Sequence, residues 1–283
     1  MLDNINKPSM FNNSLLLVLM LFFMQNTLAA NTTNIILVDK STTKINLFTY
    51  MEILEDKSSK LTIDDVTQQK YNDSFKSTSI VGNSFGYTES SFWIRFSINS
   101  DVKLDSSLYL ELEYPLIDYA TLYIPNNNKE FTKRENGELI PASKREVNHR
   151  HHLFLIPKDS SQENTYYLRV ESESSIQVPL NLLTSNAIIE DIDKSNLLLG
   201  LYYGNMIILM IVALISFLKI GDRVFLAYSF YLFSYLFFQL SLNGFFSQYI
   251  SPLPLEYYNE TTAISLGLVV FAGGLFSGTY LHI

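Results

Sequence analysis

The sequence contains no cysteine among its 283 residues. This absence excludes disulfide bridges, thiolate metal sites and cysteine nucleophiles. An exported domain of this chain would therefore rest on its hydrophobic core alone, without the covalent cross-links that many small secreted domains use.

Charge is nearly missing from the last third of the chain. Three apolar runs, 197–218, 224–246 and 261–281, fill most of this region. Residues 196–283 contain only five charged side chains, namely Lys219, Asp222, Arg223, Glu256 and Glu260. About 20 apolar residues in a helix cross the roughly 30 Å hydrocarbon layer of a bilayer. We therefore predict three transmembrane helices; core helices of a soluble protein are the alternative, but they seldom lack charge over this length.

Charges near the first apolar run predict its orientation. Acidic residues such as Glu190 and Asp193 precede it, whereas Lys219 and Arg223 follow it. Because basic residues remain preferentially on the cytoplasmic side, the N-terminal end of this helix is predicted to lie outside. Residues 1–30 also have the pattern of a signal peptide, with an apolar run at 15–23 that is too short to span a membrane. Retention of this segment as an uncleaved anchor is the alternative.

Residues 31–184 are predicted to form an exported, all-β domain. Apolar and polar residues alternate with a period of two at 91–99, 107–114, 119–124, 149–156 and 165–171. We expect the first two of these strands to pair, and the whole to form an antiparallel β-sandwich. One short helix is predicted at 61–69, where Thr62 and Asp65 have the spacing of a capping box. Residues 70–79 are predicted to be a loop.

The domain is acidic, which argues against nucleic acid as a partner. Residues 31–195 carry 17 Lys and Arg against 24 Asp and Glu, a formal charge of −7. Nucleic-acid-binding proteins generally present a basic face.

The alternation places aromatic and charged residues on the faces of the strands opposite the core. Rings can stack on sugars, while carboxylates and guanidinium groups bind hydroxyl or anionic groups. We therefore formulate the hypothesis of a carbohydrate or small-ligand site. The alternative is a solvated face with ion pairs of Arg95 or Arg169 with Glu111 or Glu113. The candidate ligand-binding residues are Trp93, Arg95, Tyr109, Glu111, Glu113, Tyr167 and Arg169.

Three histidines lie close together at His149, His151 and His152. On a strand, the first two would share a face and could bind a metal ion if a carboxylate joined them. Two ligands do not make a site, so we predict an exposed sheet edge with no metal and no cofactor.

Motifs of catalysis are missing as well. The sequence has no GxSxG, no phosphate-binding loop and no glycine-rich dinucleotide turn. A glycosidase would need two carboxylates facing each other across a cleft, which their spacing along one strand cannot establish. We predict that the chain is not an enzyme.

The membrane part contains polar and small residues at regular spacing. Asn205 and Gln239 are predicted at similar depth, where they would face one another or a shared polar cavity. Small residues at a spacing of four predict close helix packing; ordinary glycine content of membrane helices is the alternative. These pairs are Gly200 with Gly204, Ala263 with Gly267, and Gly274 with Gly278. Residues 185–196 form a juxtamembrane linker, whose predicted helix, capped by Ser185, can continue into the first span.

Four stretches together resemble a known family. They are GYTESSFWIRFSINS (86–100), LYLELEYPLIDYATLYIP (108–125), YYLRVESES (166–174) and LLLGLYYGNMI (197–207). The chain resembles bacterial seven-transmembrane receptors with diverse intracellular signalling modules, in the branch with the type 2 extracellular domain. The matching positions are Trp93, Arg95, Tyr114, Pro115, Arg169, Gly200, Tyr203 and Gly204.

The resemblance implies a periplasmic, jelly-roll-like β-sandwich similar to carbohydrate-binding modules, seven helices in the bacterial inner membrane, and a cytoplasmic output module. This sequence stops in the third helix, so it is expected to be a truncated receptor without that module. We predict a sensory receptor fragment that binds a carbohydrate or related ligand. A membrane-anchored envelope binding module without signalling is the alternative, and a tethered glycan hydrolase is a third. The expected partners are the lipid bilayer and the small ligand, with a homodimer left open.

Overall fold

The computed structural model describes residues 35–39, 41–100, 107–126, 130–157, 163–249 and 258–282. The predicted signal peptide and the centre of the asparagine-rich turn at 127–129 lie outside these residues. The described strands are β1 Ile36–Val38, β2 Lys44–Asn46, β3 Glu52–Asp56, β4 Lys76–Ser77, β5 Ser84–Gly86, β6 Ser91–Ser100, β7 Leu108–Leu112, β8 Tyr119–Pro125, β9 Phe131–Asn136, β10 His152–Ile156, β11 Asn164–Glu171, β12 Ile176–Gln177 and β13 Leu180–Thr184.

Two antiparallel sheets face each other and form the predicted β-sandwich. The larger sheet has the order β4-β3-β6-β11-β8-β9, and the short β1 runs parallel to the end of β6. The smaller sheet has the order β10-β7-β13-β2, and β12 pairs with β5 in a separate ribbon. The main core lies between the two sheets and includes Ile94, Phe96, Leu110, Leu168 and Leu182.

The predicted pairing of the strand at 91–99 with the strand at 107–114 is wrong. β6 pairs with β11, β3 and β1, whereas β7 pairs with β10 and β13 in the opposite sheet. The alternation of apolar residues indicates which face of a strand is buried but carries no information about its neighbour. β6 and β7 therefore belong to different sheets and are not the two strands of one hairpin.

A second, smaller core covers the outer face of the larger sheet. The segment after β3 forms helix α1 Ile63–Val66, a 3-10 helix Gln69–Ser74, the strand β4 and helix α2 Thr78–Val81. The predicted short helix is confirmed: the Asp65 carboxylate accepts hydrogen bonds from the backbone N–H and the hydroxyl of Thr62 at 2.9 and 2.7 Å. The loop predicted at 70–79 is wrong, because this segment folds back against the sheet.

Three long apolar helices follow the sandwich, each long and apolar enough to cross a membrane. They are α3 Ser185–Ile220, α4 Arg223–Leu242 and α6 Tyr258–Leu281, and the short helix α5 Phe245–Tyr249 follows α4. The sequence predicted Ser185 as the cap of the helix that leads into the first span. In the structure, Thr184 is the N-cap of α3, and Ser185 is its first residue. The predicted linker and the first apolar run form this single helix.

The second long helix ends four residues before its predicted limit. Asn243 occupies the C-cap of α4, and Gly244 follows with a φ of +73°, a conformation that favours glycine. A Cβ on Gly244 would lie 2.6 Å from the Cβ of Pro115 and 3.0 Å from the carbonyl oxygen of Arg150. The turn between α4 and α5 therefore packs directly on the sandwich.

Candidate functional site

The predicted ligand-binding residues do not share one face. Trp93, Arg95, Tyr167 and Arg169 lie on β6 and β11 in the larger sheet, with Trp93 opposite Arg169 and Arg95 opposite Tyr167. The other three, Tyr109, Glu111 and Glu113, lie on or just after β7 in the smaller sheet. The structure therefore divides the predicted face between two opposite surfaces of the sandwich.

Trp93 is not available as a stacking surface in this structure, because its side chain is 0% exposed. It belongs to the second core together with Val66 and Phe75 of the covering segment. Its ring packs at 5.3 Å from that of Tyr123, measured between centroids. The indole therefore has a structural role. The alternation of residues along the strand could not predict this role, because alternation does not show that a second layer covers this face.

The two arginines of this face form ion pairs with partners other than those expected. Arg95 donates to the Glu52 carboxylate at 2.6 and 2.9 Å, and its guanidinium lies 4.3 Å from the centre of the Phe75 ring. Arg169 lies 2.7 Å from the Glu171 carboxylate. The alternative prediction, that ion pairs occupy this face, is confirmed for both arginines. The predicted partners Glu111 and Glu113 are wrong, because they belong to the other sheet.

A wide cleft opens at one end of the larger sheet, and we call it the Tyr87 cleft. Its volume is about 860 Å³. The loops before β6 and β8 and after β3 and β11 meet here, since those strand ends are neighbours in the sheet. Two tyrosines stand at the cleft with much of their surface in solvent, Tyr87 at 83% and Tyr119 at 42% exposed. The lining residues are Ser59, Tyr87, Thr88, Glu89, Ser90, Asp118, Tyr119, Leu139, Glu171, Ser172 and Glu173.

Hydrogen bonds fix the walls of the Tyr87 cleft. The Ser59 hydroxyl donates to the carbonyl oxygen of Glu89 at 2.8 Å, and Arg169 donates to the carbonyl oxygen of Ser59 at 3.1 Å. On the other wall, the Glu173 backbone N–H donates to the Asp118 carboxylate at 2.8 Å. The cleft is thus preformed, as binding sites for small molecules usually are.

Asp118, which lines the cleft, lies near Glu138, and both side chains are buried. Burial and, to a smaller extent, the nearby Asp118 charge together raise the pKa of Glu138 to about 8, against the opposing effect of Arg145. Glu138 is therefore largely protonated at neutral pH. The preceding residue, Gly137, has a φ of +147° and no room for a side chain, because a Cβ there would lie 2.1 Å from the Asp118 carbonyl oxygen.

A second cavity lies between the smaller sheet and the first turns of α3, and we call it the junction pocket. Its volume is about 280 Å³. Lys44 forms a 2.6 Å ion pair with Asp191 beside it, and Arg150 donates a 2.7 Å hydrogen bond to the Ser195 hydroxyl. The lining residues are Lys44, Glu111, Glu113, His149, Arg150, His151, Leu183, Ile188, Asp191, Ile192, Lys194, Ser195 and Leu198.

The histidines do not form the exposed edge that the sequence predicted. His151 is buried, and its Nδ1 lies 2.7 Å from Glu111 Oε1. His149 is half-buried, and its ring centre lies 5.1 Å from that of His151. Glu111, His149 and His151 offer ligand atoms that all lie within 4.8 Å of one another. His152 is separate and fully buried, with its ring nitrogens 3.1 Å from the oxygens of Asn136 and Pro115.

Electrostatics favour a carboxylate and a neutral imidazole in this cluster. Burial alone would raise the pKa of Glu111, but the hydrogen bond and charge of His151, with Lys44, keep it below its ordinary value. Burial, together with the charges of His151 and Arg150, lowers the pKa of His149 to about 4. At neutral pH, Glu111 is therefore ionised and His149 is neutral.

Within the described helices, Gln239 finds partners other than Asn205. Its side-chain amide donates to the Tyr235 hydroxyl at 2.9 Å, and Asn243 donates to its backbone oxygen at 2.8 Å. Asn205 is exposed on the outer surface of α3. The direct contact predicted between Asn205 and Gln239 is not among the hydrogen bonds of the described residues.

The predicted small-residue faces are open in the described part of the chain. A Cβ on Gly200, Gly204, Gly267 or Gly274 would meet no atom within 4 Å. Close packing occurs instead at Gly273, where a Cβ would lie 3.6 Å from the Tyr231 ring of α4. Close helix packing at these glycines therefore stays a prediction.

Two family profiles match successive parts of the chain. The profile described as the 7TMR-DISM extracellular 2 domain matches residues 49–184. The profile described as 7TM diverse intracellular signalling matches residues 195–283. The boundary between them falls at the start of helix α3, where the sandwich ends. Among curated proteins, none is significantly similar in sequence to this chain.

Solved structures with some similarity include β-glucuronidase from Ruminococcus gnavus. That structure has 11% sequence identity and a TM-score of 0.29, and the match covers 52% of this chain and 30% of the enzyme chain. The complex of the same enzyme with D-glucuronic acid has 11% identity and a TM-score of 0.30, with the same shares covered. The chain thus spans less than a third of these enzymes, and similarity at this level carries no argument about activity.

Family membership gives the broad function. An antiparallel sandwich precedes three membrane-capable helices, and both parts match the profiles of one receptor architecture in the expected order. The family implies a multi-pass membrane protein that acts as a sensory receptor. The chain belongs to the family of seven-transmembrane receptors with diverse intracellular signalling modules, with an extracellular domain of type 2.

Proposed function

We propose that the sandwich is the ligand-binding domain of the receptor and that it binds a neutral carbohydrate or a related polyhydroxy compound in the Tyr87 cleft. The observation that carries this proposal is the pair of exposed tyrosines, Tyr87 and Tyr119, at a preformed cleft of about 860 Å³. Exposed aromatic rings bind the apolar faces of sugars, and surrounding polar groups take their hydroxyl groups.

The charge of the cleft selects among ligand classes. Glu89, Asp118, Glu171 and Glu173 line it together with serine and threonine hydroxyls, and among the described residues no lysine or arginine lines it. An anionic ligand would meet like charges, which cost free energy when they are brought together. A neutral polyol can instead donate its hydroxyl protons to the carboxylates. We therefore favour neutral sugars over acidic ones.

Occupancy of the cleft is relayed through contacts of the sandwich with the helices. Lys44 and Arg150 hold the first turns of α3, and Pro115 packs against Gly244 at the turn after α4. A ligand shifts such an assembly only if it binds one of two arrangements more tightly. The proposed orientation places the sandwich in the periplasm and the chain in the bacterial inner membrane, as the charges around the first span predict.

The test is calorimetric titration of the full chain in lipid nanodiscs with a panel of neutral mono- and oligosaccharides, and glucuronic acid for comparison. We expect a neutral sugar to bind the wild type, Tyr87→Phe to retain most of this affinity, and Tyr87→Ala to weaken it at least about tenfold, as the loss of a stacking ring is worth roughly 1–2 kcal/mol. The matched control is Tyr109→Phe, on the other sheet, which should leave binding unchanged. Binding that is unaffected by Tyr87→Ala, or no binding by any neutral sugar, would refute the proposal.

A further inference from the structure

Two histidines and a carboxylate converge in the junction pocket. Glu111 comes from the middle of the smaller sheet, while His149 and His151 come from the segment that leads into β10. Their ligand atoms lie within 4.8 Å of one another. Glu111 and His151 are 40 residues apart in sequence, so the fold and not a local motif assembles the cluster.

We propose that Glu111, His149 and His151 bind one divalent transition-metal ion, for which zinc suits the donors best. Two imidazoles and one carboxylate form a three-ligand set that proteins use for zinc with an open fourth position. Ligands of a tetrahedral zinc ion lie about 3.3 Å apart, given bond lengths of about 2.0–2.1 Å. The ligand atoms of the three groups lie within 4.8 Å of one another, so metal binding would draw them closer together.

The surroundings have the features of a supported metal site. Asn181 lies beside the cluster on the adjacent strand β13 and donates to Glu113 at 2.8 Å, with Glu111 at 3.5 Å. Such outer hydrogen bonds orient carboxylate ligands. The lone pair of His149 Nδ1 accepts the backbone N–H of His151 at 3.1 Å. A metal ion would replace this hydrogen bond with a stronger interaction.

The pocket also provides access and a coordination position for a fourth ligand. Glu113 and Lys194 at its rim are exposed, so an ion and a water molecule can enter from solvent. The opposite wall is helix α3, where Asp191 lies in a 2.6 Å ion pair with Lys44. An added positive charge here would strengthen the attraction between the smaller sheet and the acidic first turns of α3. Metal binding is thus a second input at the junction, independent of the Tyr87 cleft.

A simpler explanation is that Glu111 and His151 form a structural ion pair and nothing more. The two explanations predict different results for metal binding, because a structural ion pair requires no metal ion. The atoms that coordinate the bound zinc also distinguish this cluster from adventitious binding. The cluster supplies histidine nitrogens, whereas surface carboxylates supply only oxygen.

The experiment uses the full chain in nanodiscs, stripped of metal and then titrated with zinc chloride. We expect one zinc ion per chain, and an affinity that falls at least about tenfold in Glu111→Gln and in His149→Gln. The control His282→Gln removes a histidine from the far end of α6, outside the cluster, and should bind as tightly as the wild type. Near-ultraviolet circular dichroism without metal checks that each variant is folded.

X-ray absorption of the zinc-loaded wild type decides the question even if a variant fails to fold. Scattering from two imidazole ligands together with oxygen is the expected result. The proposal is overturned if the wild type binds no zinc, if the bound zinc has only oxygen ligands, or if His282→Gln loses affinity as much as the cluster variants do.

Discussion

Arg150 of the sandwich donates a 2.7 Å hydrogen bond to the hydroxyl of Ser195 in helix α3. The same guanidinium lies 6.0 Å from the centre of the Phe245 ring in α5. One side chain therefore contacts both the first long helix and the turn after the second. Because Arg150 is half-buried, its hydrogen bond is protected from part of the competition with water.

Loss of this contact should loosen the start of α3. A hydrogen bond to a charged group contributes about 1.5–3 kcal/mol when it is protected from water. We expect Ser195→Ala to increase amide hydrogen exchange in residues 188–198 of the full chain in nanodiscs by roughly tenfold, which corresponds to about 1.4 kcal/mol of local opening. The matched control is Lys194→Gln, because Lys194 pairs with Glu190 on the same exposed face of the helix. Equal exchange in both variants would contradict the prediction.

A comparison of Gly244 with Gly221 separates two costs of an alanine substitution, namely backbone strain and steric crowding. Both have a φ near +75°, at +73° and +77°, so alanine is strained by about 1–2 kcal/mol at either position. Only at Gly244 would the new Cβ collide with another residue, at 2.6 Å from the Cβ of Pro115. Overpacking costs a further 1–3 kcal/mol or so. We expect Gly244→Ala to lower the thermal midpoint of the full chain more than Gly221→Ala does; equal losses would show that the turn does not press on the sandwich.

Glu138 makes the stability of the sandwich depend on pH. Its pKa rises from an ordinary value of 4.5 to about 8 on folding. The stabilisation from its protonated form is therefore complete below pH 4.5 and is lost as the pH rises through about 8. We expect Glu138→Gln to match the wild type at pH 5 and to melt roughly 5 °C higher at pH 8.5.

The control for this prediction is Glu135→Gln, at an exposed position of strand β9, three residues before Glu138. Its melting temperature should follow that of the wild type at both pH values. A difference between Glu138→Gln and the wild type that does not grow with pH would contradict the assignment.

Trp93 should matter for stability and not directly for ligand contact. Its ring is fully buried among Val66, Phe75 and Tyr123, so Trp93→Ala leaves a large cavity. Such substitutions cost about 3–5 kcal/mol. We expect urea unfolding of the full chain to show this loss, while Tyr87→Ala, at an 83% exposed position, changes stability by less than about 0.5 kcal/mol. A stable Trp93→Ala variant would show that the covering segment does not pack as described.

Local sequence patterns predicted much of the fold. The uncharged runs gave the three long helices, and the spacing of Thr62 and Asp65 gave the start of α1. Both signals depend on residues close together in the chain, where periodicity and capping act. The alternation of apolar residues likewise predicted strands at β6, β8 and β11 and the antiparallel sandwich.

The candidate sites depend on contacts that local patterns do not encode. Trp93 and Glu111 occupy equivalent positions in the alternation of their strands, yet one is covered by the segment after β3 and the other faces α3. The Tyr87 cleft is formed mainly by loops, with Tyr119 and Glu171 at strand ends, and it unites residues from distant parts of the sequence. The one signal that pointed toward the junction was the pair His149 and His151, whose missing carboxylate is supplied by another strand.

The unbroken course of α3 from strand β13 to Ile220 has a geometric consequence. A helix of 36 residues is about 54 Å long and turns by about 100° with each residue. The number of residues between β13 and the bilayer therefore sets the azimuth at which the sandwich faces its surroundings. One inserted residue before the span would swing the sandwich more than a quarter turn around the helix axis.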